Sequence, residues 1–279
     1  MAKRVELSGA LTLVTGAGSG IGRATAAALA RAGAHVLAVD IDELTVKTTA
    51  ALCADLGAQA QAYACDVADR AAVQALADQV GLEHGALDVL VNNAGVGMTG
   101  TFVDMSVDDW EWIRSINLDG VVHGCHAFGP AMLAQGRGHV VNISSGLAYA
   151  PRSTEVAYCT TKAAVLMFSR SLRADWRRHG VGVSAVCPGV INTPILERAR
   201  FVGEMSSPLV IAAAKRGFRF GHRPEVVADA VLTAVRRNRA VVPAGIEARI
   251  GWQLVKVLPV PVADQFARSV PRVITRAIP

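Results

Sequence analysis

The sequence predicts a single α/β domain built on a doubly wound parallel sheet with helices on both faces. Short apolar runs typical of strands alternate with helical stretches along most of the 279 residues, which favours parallel strands joined by right-handed crossovers. Hydrophobic residues make up 52% of the chain but aromatic residues only 5%, and an aliphatic core suits a sheet buried on both faces. A glycine-rich turn joins the first predicted strand to the first predicted helix, as in Rossmann-type dinucleotide-binding folds.

The individual elements follow from local patterns, taken in chain order. The first strand is apolar, and the first helix is rich in alanine and stops at Gly33. Ser106 and Asp109 form a capping box that opens the fourth helix, and Pro224 suits the first turn of the sixth. Strands are predicted at residues 11–15, 35–40, 61–66, 87–92, 139–144, 181–187 and 240–243. Helices are predicted at residues 20–32, 43–56, 69–81, 107–135, 156–179 and 224–238.

The domain is expected to cover residues 1–244, with a basic and apolar C-terminal extension over residues 245–279. We find no internal repeat, low-complexity segment or linker in the sequence. Residues 194–223 fit the alternation poorly and are expected to form an insertion made of a loop and a helix.

The glycine-rich turn predicts a nucleotide site. Residues 15–22 read TGAGSGIG. Glycines allow the backbone to approach a pyrophosphate, whose charge then lies at the N-terminus of the following helix. A simple tight turn is the alternative, but the strand before and the helix after favour nucleotide binding.

Asp40 ends the second predicted strand, eighteen residues beyond Gly22. A carboxylate there can accept both hydroxyls of the adenosine ribose. It would repel a 2′-phosphate, since two unit charges 4 Å apart cost about 4 kcal/mol at an effective dielectric of 20. Ile41 and Asp42 follow, so we expect no basic residue to offset this charge and predict NAD as the cofactor. The alternative is that Asp40 or Asp42 caps the next helix.

Tyr158 and Lys162 are four residues apart in a predicted helix, so their side chains share a face. A free phenol has a pKa near 10. Lowering that pKa by two to three units requires a preference of roughly 3–4 kcal/mol for the phenolate. A neighbouring ammonium and a cationic nicotinamide can together provide this preference, which predicts an acid/base role for the tyrosine.

Taken together, the motifs resemble the short-chain dehydrogenase/reductase family in its shorter NAD(P)-dependent branch, from about residue 5 to about residue 244. The family's TGxxxGIG matches residues 15–22, and its NNAG matches residues 92–95. Its helix asparagine matches Asn117, and its serine thirteen residues before the tyrosine matches Ser145. Its PGxxxT matches residues 188–193.

The resemblance implies a role for each matching residue. The catalytic residues are expected to be Asn117, Ser145, Tyr158 and Lys162. Cofactor contacts are expected from Gly16, Ser19, Gly20, Ile21, Gly22, Asp40, Asp66, Val67, Asn93, Gly95, Tyr158, Lys162, Pro188, Gly189, Ile191 and Thr193. Asp66 and Val67 correspond to the adenine contact, and Ile191 and Thr193 to contacts with the nicotinamide carboxamide. Without the resemblance, Asp66 could equally be a helix cap, and Asn93 and Ser145 ordinary turn residues.

The implied activity is interconversion of a secondary alcohol and a ketone with NAD. Tyr158 acts as acid/base, Ser145 polarises the substrate oxygen, and Asn117 holds a water near Lys162. Residues 194–223 cover the substrate, and the apolar residues among 201–211 suggest that it is lipophilic. The alternatives are an NADP-dependent ketone or ketoacyl reductase, an epimerase or dehydratase, and an NAD-binding sensor or scaffold without turnover.

Other classes of protein are disfavoured. The GxSxG motif of many hydrolases is absent, so a hydrolase is not expected. His123 and His126 lie in an apolar stretch without a carboxylate partner, so no metal site is predicted. The five cysteines lack a disulfide or CxxC pattern, and no signal peptide or spanning segment is expected. We therefore expect a cytoplasmic protein with free thiols.

Basic charge is concentrated towards the C-terminus. The net charge is +5, whereas residues 198–279 hold 14 Lys and Arg against 5 Asp and Glu. Nucleic acid is not expected because no reading motif is present. Residues 245–279 could make a weak contact with an anionic membrane, or they could pack on a neighbouring subunit or close the substrate pocket. The three prolines at 259, 261 and 271 favour packing.

The chain is expected to form a homo-oligomer, a tetramer or a dimer. The predicted helices 107–135 and 156–179 carry apolar residues on more than one face, and surplus apolar surface usually finds a partner. The resembling family commonly pairs these two helices across a two-fold axis.

Overall fold

The structure, a computed structural model, describes residues 4–258. Its strands are β1 (Leu11–Thr15), β2 (His35–Asp40), β3 (Ala60–Ala64), β4 (Val89–Asn92), β5 (Met98–Thr99), β6 (Gly138–Ile143), β7 (Val181–Pro188), β8 (Arg200–Phe201) and β9 (Val241–Ala244). Its α-helices are α1 (Gly20–Arg31), α2 (Glu43–Asp55), α3 (Arg70–Glu83), α4 (Val107–Arg114), α5 (Gly120–Gln135), α6 (Val156–Trp176), α7 (Pro208–Arg219), α8 (Glu225–Arg237) and α9 (Ile246–Val257).

Seven strands form one parallel sheet in the order β3-β2-β1-β4-β6-β7-β9. The order runs outward in opposite directions from the β1–β4 pair, so a crevice opens there at the carboxyl ends of the strands. The predicted doubly wound, Rossmann-type fold is confirmed.

Successive side chains of a strand point to opposite faces of the sheet, and helices pack on both faces, so both are buried. Val14 and Val36 belong to one core cluster, which includes residues of α1, α2 and α8. Leu13 and Leu37 belong to the other, which includes residues of α3, α5 and α6. This two-sided burial explains why the central strands are mainly aliphatic. The polar residues that they do contain are buried as well, and Asn92 Nδ2 on β4, for example, donates to Asn142 Oδ1 on β6 at 2.9 Å.

Side-chain caps define where the early helices begin. The carboxylate of Asp42 accepts from the backbone of α2, and that of Asp69 accepts from the backbone of α3. Ser106 and Asp109 form the predicted capping box on α4. Asp42, and not Asp40, therefore caps α2, and the alternative of Asp40 as the helix cap does not hold.

In the structure, the predicted helix 107–135 is divided into three helical segments. A π-helix, Ser115–Asp119, interrupts it between α4 and α5. Apolar residues continue through this stretch, so no local pattern marks the interruption. Likewise, the predicted helix 156–179 ends as an α-helix at Trp176 and continues as a 3-10 turn to Gly180, whose φ is 79°.

The apolar residues behind the oligomer prediction are largely used inside the chain. Val121, Phe128, Met132, Val165 and Leu166 are all buried within the single chain. These five side chains are therefore not surplus surface. Val122 and Phe168, which the prediction also rests on, are only partly buried, so the oligomer stays a prediction.

Residues 194–223 contain two short 3-10 helices followed by α7. Between them β8 pairs with β5 in a small parallel sheet that the sequence did not predict. Helix α9 was also missed, in the segment assigned to the C-terminal extension. It packs on the body of the protein, where the Tyr149 hydroxyl donates to the Ala248 carbonyl at 2.7 Å.

The predicted membrane contact depends partly on residues 259–279, which lie outside the described residues. Over residues 4–258 no helix has the length and apolarity needed to cross a membrane.

Candidate active site

A cleft of about 960 Å³ opens at the carboxyl edge of the sheet. Turns that follow β4, β6 and β7 form its floor, and the first turn of α1 contributes Ile21. Of the predicted site residues, those lining it are Ile21, Asn93, Gly95, Ser145, Tyr158, Lys162, Pro188, Gly189, Ile191 and Thr193. Parallel strands bring these distant segments together because their carboxyl ends share one edge.

The glycine-rich turn is packed too tightly for side chains. A Cβ on Gly16 would lie 2.8 Å from the Ala94 Cα, and one on Gly22 would collide with the Gly16 carbonyl. Ser19, the N-cap of α1, makes no side-chain capping bond, and the first turn holds no acidic residue. The leading N–H groups of α1 thus have no side-chain cap, in contrast to those of α2 and α3, and this end of the helix fits a pyrophosphate.

Asp40 is 6% exposed and faces the glycine-rich turn. Its Oδ2 accepts from the Gly18 N–H at 2.8 Å, and its Oδ1 accepts from the Asp42 N–H at 3.1 Å. This position, beside the turn, suits a carboxylate that is to hold a ribose.

A basic residue does accompany Asp40, contrary to our expectation. Nη1 of Arg198 lies 3.6 Å from Asp40 Oδ1, and Nη2 lies 3.4 Å from Asp42 Oδ2. The residues next to Asp40 in the sequence could not indicate this pair. Arg198 is remote from Asp40 in the sequence and belongs to the segment that follows β7.

Asp66 and Val67 lie beyond the end of β3, which stops at Ala64 and not at residue 66 as predicted. The exposed Asp66 carboxylate accepts from the Ala68 N–H at 2.9 Å within the turn, while Asp69 caps α3. The helix-cap alternative for Asp66 was therefore wrong. Val67 is buried, and its carbonyl lies 2.9 Å from His123 Nδ1, which accounts for that histidine without a metal.

Asn93 joins the turn after β4 to the glycine-rich turn. Its Nδ2 donates to the carbonyls of Thr15 at 2.8 Å and Gly16 at 3.2 Å. Gly95 lies against two catalytic candidates, because a Cβ there would be 3.1 Å from Asn117 Oδ1 and 3.2 Å from Lys162 Nζ. A side chain at residue 95 would therefore crowd both.

Asn117 lies within the π-helix and is fully buried. Its Oδ1 accepts from the Val96 N–H at 2.8 Å, and its Nδ2 donates to the Val96 carbonyl at 3.0 Å. The amide therefore clamps the backbone next to Gly95 and so fixes the wall of the cleft beside Lys162.

Ser144 and Ser145 have different surroundings although both follow β6. The Ser144 hydroxyl donates to the Lys162 carbonyl at 2.7 Å and so holds α6 against the sheet. Ser145 lines the cleft, where its Oγ accepts from the Leu147 N–H at 3.1 Å and a hydrogen bond links it to Tyr158. The second serine is therefore the one placed to meet a substrate oxygen.

The ammonium of Lys162 is buried beside Tyr158. Its Nζ donates to the Ile143 carbonyl at 3.1 Å and lies 5.8 Å from the centre of the Tyr158 ring. Burial lowers the pKa of Lys162 to about 8. Burial also raises the pKa of Tyr158, and the hydrogen bond from Ser145 offsets this only in part.

The expected lowering of the Tyr158 pKa by Lys162 is thus not seen in the chain alone. Removing the phenol from water disfavours the phenolate, and at this site that effect exceeds what the neighbouring groups provide.

The loop after β7 is held by a residue that the sequence analysis did not single out. Glu247 Oε1, from α9, accepts from the Val190 N–H at 2.7 Å, and Oε2 lies 2.8 Å from His222 Nε2. Thr193 lies against the glycine-rich turn, where a Cβ on Gly20 would be 3.1 Å from its Cβ. No local pattern signals Glu247, because its partners are remote in sequence.

The outer wall of the cleft is mainly apolar. The side chains come from the segment around α7 and from α9, and include Met205, Val210, Phe218, Leu254, Val255 and Leu258. Arg152 and Glu155 add an ion pair at 3.5 Å. Within residues 4–258 no group of three or more His, Cys, Asp or Glu could hold a metal ion.

Comparison with known proteins decides the family. The family model for short chain dehydrogenase matches residues 10–201. The chain belongs to the short chain dehydrogenase family. The matched residues thus form a short chain dehydrogenase domain.

Individual short chain dehydrogenases share both sequence and fold with the chain. The probable oxidoreductase EphD of Mycobacterium tuberculosis (strain ATCC 25618 / H37Rv) is 45% identical over 256 residues, covering 89% of this chain and 43% of that protein. The chain thus spans less than half the length of that relative. A short chain dehydrogenase/reductase from Burkholderia phymatum in complex with NAD has a TM-score of 0.81 at 30% identity, covering 91% of this chain and 94% of the other. A metagenomic short-chain oxidoreductase in complex with NADP has a TM-score of 0.71 at 31% identity, and the match covers 87% of this chain and 100% of the other.

Proposed function

We propose that this short chain dehydrogenase interconverts a lipophilic secondary alcohol and its ketone with NAD. The observation that carries the proposal is that Ser145, Tyr158 and Lys162 line one cleft whose outer wall is mainly apolar. A polar catalytic end and an apolar outer end suit a substrate with one oxygen on a hydrocarbon body.

The chain's residues divide the work as follows. Ser145 hydrogen-bonds the substrate oxygen and holds it beside Tyr158. Tyr158 gives a proton to that oxygen in reduction and takes one in oxidation. Lys162 holds the nicotinamide ribose and keeps positive charge near the phenol. Asn117 fixes the backbone at Gly95 and holds the water next to Lys162. When bound, the nicotinamide supplies the hydride chemistry.

Cofactor contacts are proposed along the same edge of the sheet. Gly16, Ser19, Gly20, Ile21 and Gly22 meet the pyrophosphate. Asp40 accepts from the adenosine ribose, which favours NAD, and Asp66 and Val67 border the adenine. Asn93, Gly95, Pro188, Gly189, Ile191 and Thr193 border the nicotinamide half.

Turnover assays test the proposal directly. The protein is incubated with NAD and a series of secondary alcohols of increasing apolar size, and with NADH and the matching ketones. We expect kcat/KM to rise with the apolar size of the substrate, since each methylene buried in the cleft contributes about 0.8 kcal/mol. Cofactor binding without turnover of any alcohol or ketone would instead support a sensor or scaffold, and a fall in kcat/KM with apolar size would contradict a lipophilic substrate.

A further inference from the structure

Arg198 crosses from the substrate-covering segment to the acidic end of β2. It follows the 3-10 helix Pro194–Glu197 and precedes β8. Its guanidinium lies 3.6 Å from Asp40 Oδ1 and 3.4 Å from Asp42 Oδ2. The Arg198 side chain is 50% exposed, whereas that of Asp40 is 5% exposed. The arginine therefore lies on the solvent side of the carboxylate expected to meet the ribose.

The neighbouring arginines have other partners. Arg23 donates through Nε to Thr49 Oγ1 at 3.0 Å and through its guanidinium to the Gly18 carbonyl. Arg200 pairs with Asp109 at 2.9 Å and lies 4.1 Å from the Trp112 ring centre. Arg198 is the arginine whose ion pairs are with Asp40 and Asp42.

This arrangement changes the electrostatics of the ribose site. Asp40 by itself repels a 2′-phosphate. A guanidinium beside it offsets that charge and can donate two parallel hydrogen bonds to a phosphate. Ribose hydroxyls are neutral, so they gain much less from the same guanidinium.

We propose that Arg198 is a cofactor-specificity residue supplied by the substrate-covering segment, and that it increases affinity for a 2′-phosphorylated nicotinamide dinucleotide relative to NAD. The inference depends on one part of the proposed function, namely that the adenosine ribose lies at Asp40. NAD remains the better cofactor because the Asp40 carboxylate still faces the site of the 2′-phosphate, but the preference is smaller than Asp40 alone would impose.

Calorimetric titration of NAD and of NADP, each without substrate, tests the proposal. The proteins are the unmutated chain, Arg198→Ala, Arg198→Lys and the control Arg223→Ala. Arg223 lies in the same 194–223 segment, is 85% exposed and pairs with Glu225 at 3.6 Å, so its removal makes the same change in net charge away from Asp40. Thermal unfolding of each variant checks that the fold is kept.

We expect Arg198→Ala to lower the affinity for NADP about 10-fold or more, the loss typical of a hydrogen bond to a charged group. The affinity for NAD should fall less than about 3-fold. Arg198→Lys should give an affinity for NADP between those of the unmutated chain and Arg198→Ala. Lysine keeps the positive charge but lacks the planar guanidinium that can donate two parallel hydrogen bonds. Arg223→Ala should change neither affinity by more than about 2-fold.

Three results would overturn the proposal: equal weakening of both cofactors, no change in either, or no detectable NADP binding to the unmutated protein. These are separable from failure of the proposed function. Binding of NAD without turnover counts against the dehydrogenase activity alone, whereas binding of neither dinucleotide overturns both.

Discussion

Tyr158 is the residue on which the chemistry depends. Replacing it with phenylalanine removes the hydroxyl and leaves the ring that lines the cleft. We expect Tyr158→Phe to reduce kcat by about 10²–10⁴-fold, the usual share of general acid–base catalysis. NAD affinity, measured by titration, should stay within a few-fold because the glycine-rich turn is untouched.

Tyr63 provides the matched control for this variant. Its hydroxyl bonds to Glu83 at 2.7 Å and does not line the cleft. Tyr63→Phe should therefore keep normal turnover. Full turnover by Tyr158→Phe would remove Tyr158 from the mechanism.

The pKa shifts of the buried pair predict opposite pH dependences for the two directions. Burial raises the pKa of Tyr158, so the phenol stays protonated at neutral pH and is ready to act as an acid. Burial lowers the pKa of Lys162 to about 8, so its charge is lost as pH rises through about 8. We expect kcat/KM for ketone reduction to be level near neutrality and to fall above pH 8. Alcohol oxidation, which needs the phenolate, should rise with pH in the neutral range. A reduction profile that stays level to pH 10 would refute this assignment.

Asp40 sets the balance between the two cofactors. Asp40→Ala removes the carboxylate that would face a 2′-phosphate while leaving Arg198 in place. We expect kcat/KM with NADP to rise relative to NAD by about 10-fold or more, and kcat/KM with NAD not to improve. Asp175→Ala is the control, because Asp175 is exposed at the end of α6 and pairs with Arg178 at 3.8 Å. It should leave the ratio of the two kcat/KM values unchanged. A preference for NADP in the unmutated enzyme would contradict the proposed role of Asp40.

At the scale of elements, α9 holds the loop after β7 through a single carboxylate. Glu247 accepts from the Val190 N–H at 2.7 Å and lies 2.8 Å from His222 Nε2. We expect Glu247→Ala to raise the KM for the cofactor several-fold, because the loop carrying Ile191 and Thr193 loses its support. Stability should fall by about 1 kcal/mol, since the carboxylate is partly exposed.

The control for this prediction is Glu225→Ala, which removes a carboxylate from the exposed pair with Arg223. It should leave the KM for the cofactor unchanged. If Glu247→Ala lowers stability but leaves KM unchanged, α9 has no part in positioning the loop.

At the scale of the whole molecule, we propose that the chain assembles as a dimer or tetramer through the α4–α5 region and α6. Most of the apolar residues first named on these helices are buried in the chain, but Met167 on α6 is 57% exposed. Light scattering at micromolar concentration should give about two or four times the 29.2 kDa chain mass.

Charge substitutions locate the surface involved. Met167→Arg should reduce the assembled mass, because a buried unpaired charge destabilises an interface. Leu82→Arg, at a residue that is 90% exposed on α3, should not. A monomeric mass for the unmutated protein would refute the assembly.

The sequence by itself determined the order of the seven sheet strands along the chain, the glycine-rich turn and the Tyr158–Lys162 pair. Each of these is local. A strand, a capping box such as Ser106 with Asp109, or two residues on one helix face depends on neighbours within a few positions. Backbone propensity and short-range hydrogen bonding therefore suffice to predict them.

Only the tertiary structure decided which remote residues meet and how burial changes their chemistry. Arg198 reaches Asp40, and Glu247 supports Val190, across long separations that no local pattern records. The raised pKa of Tyr158 likewise reflects desolvation by every element packed around it. Electrostatic and desolvation energies depend on distance in space and not on distance along the chain, so they become readable only once the chain has folded.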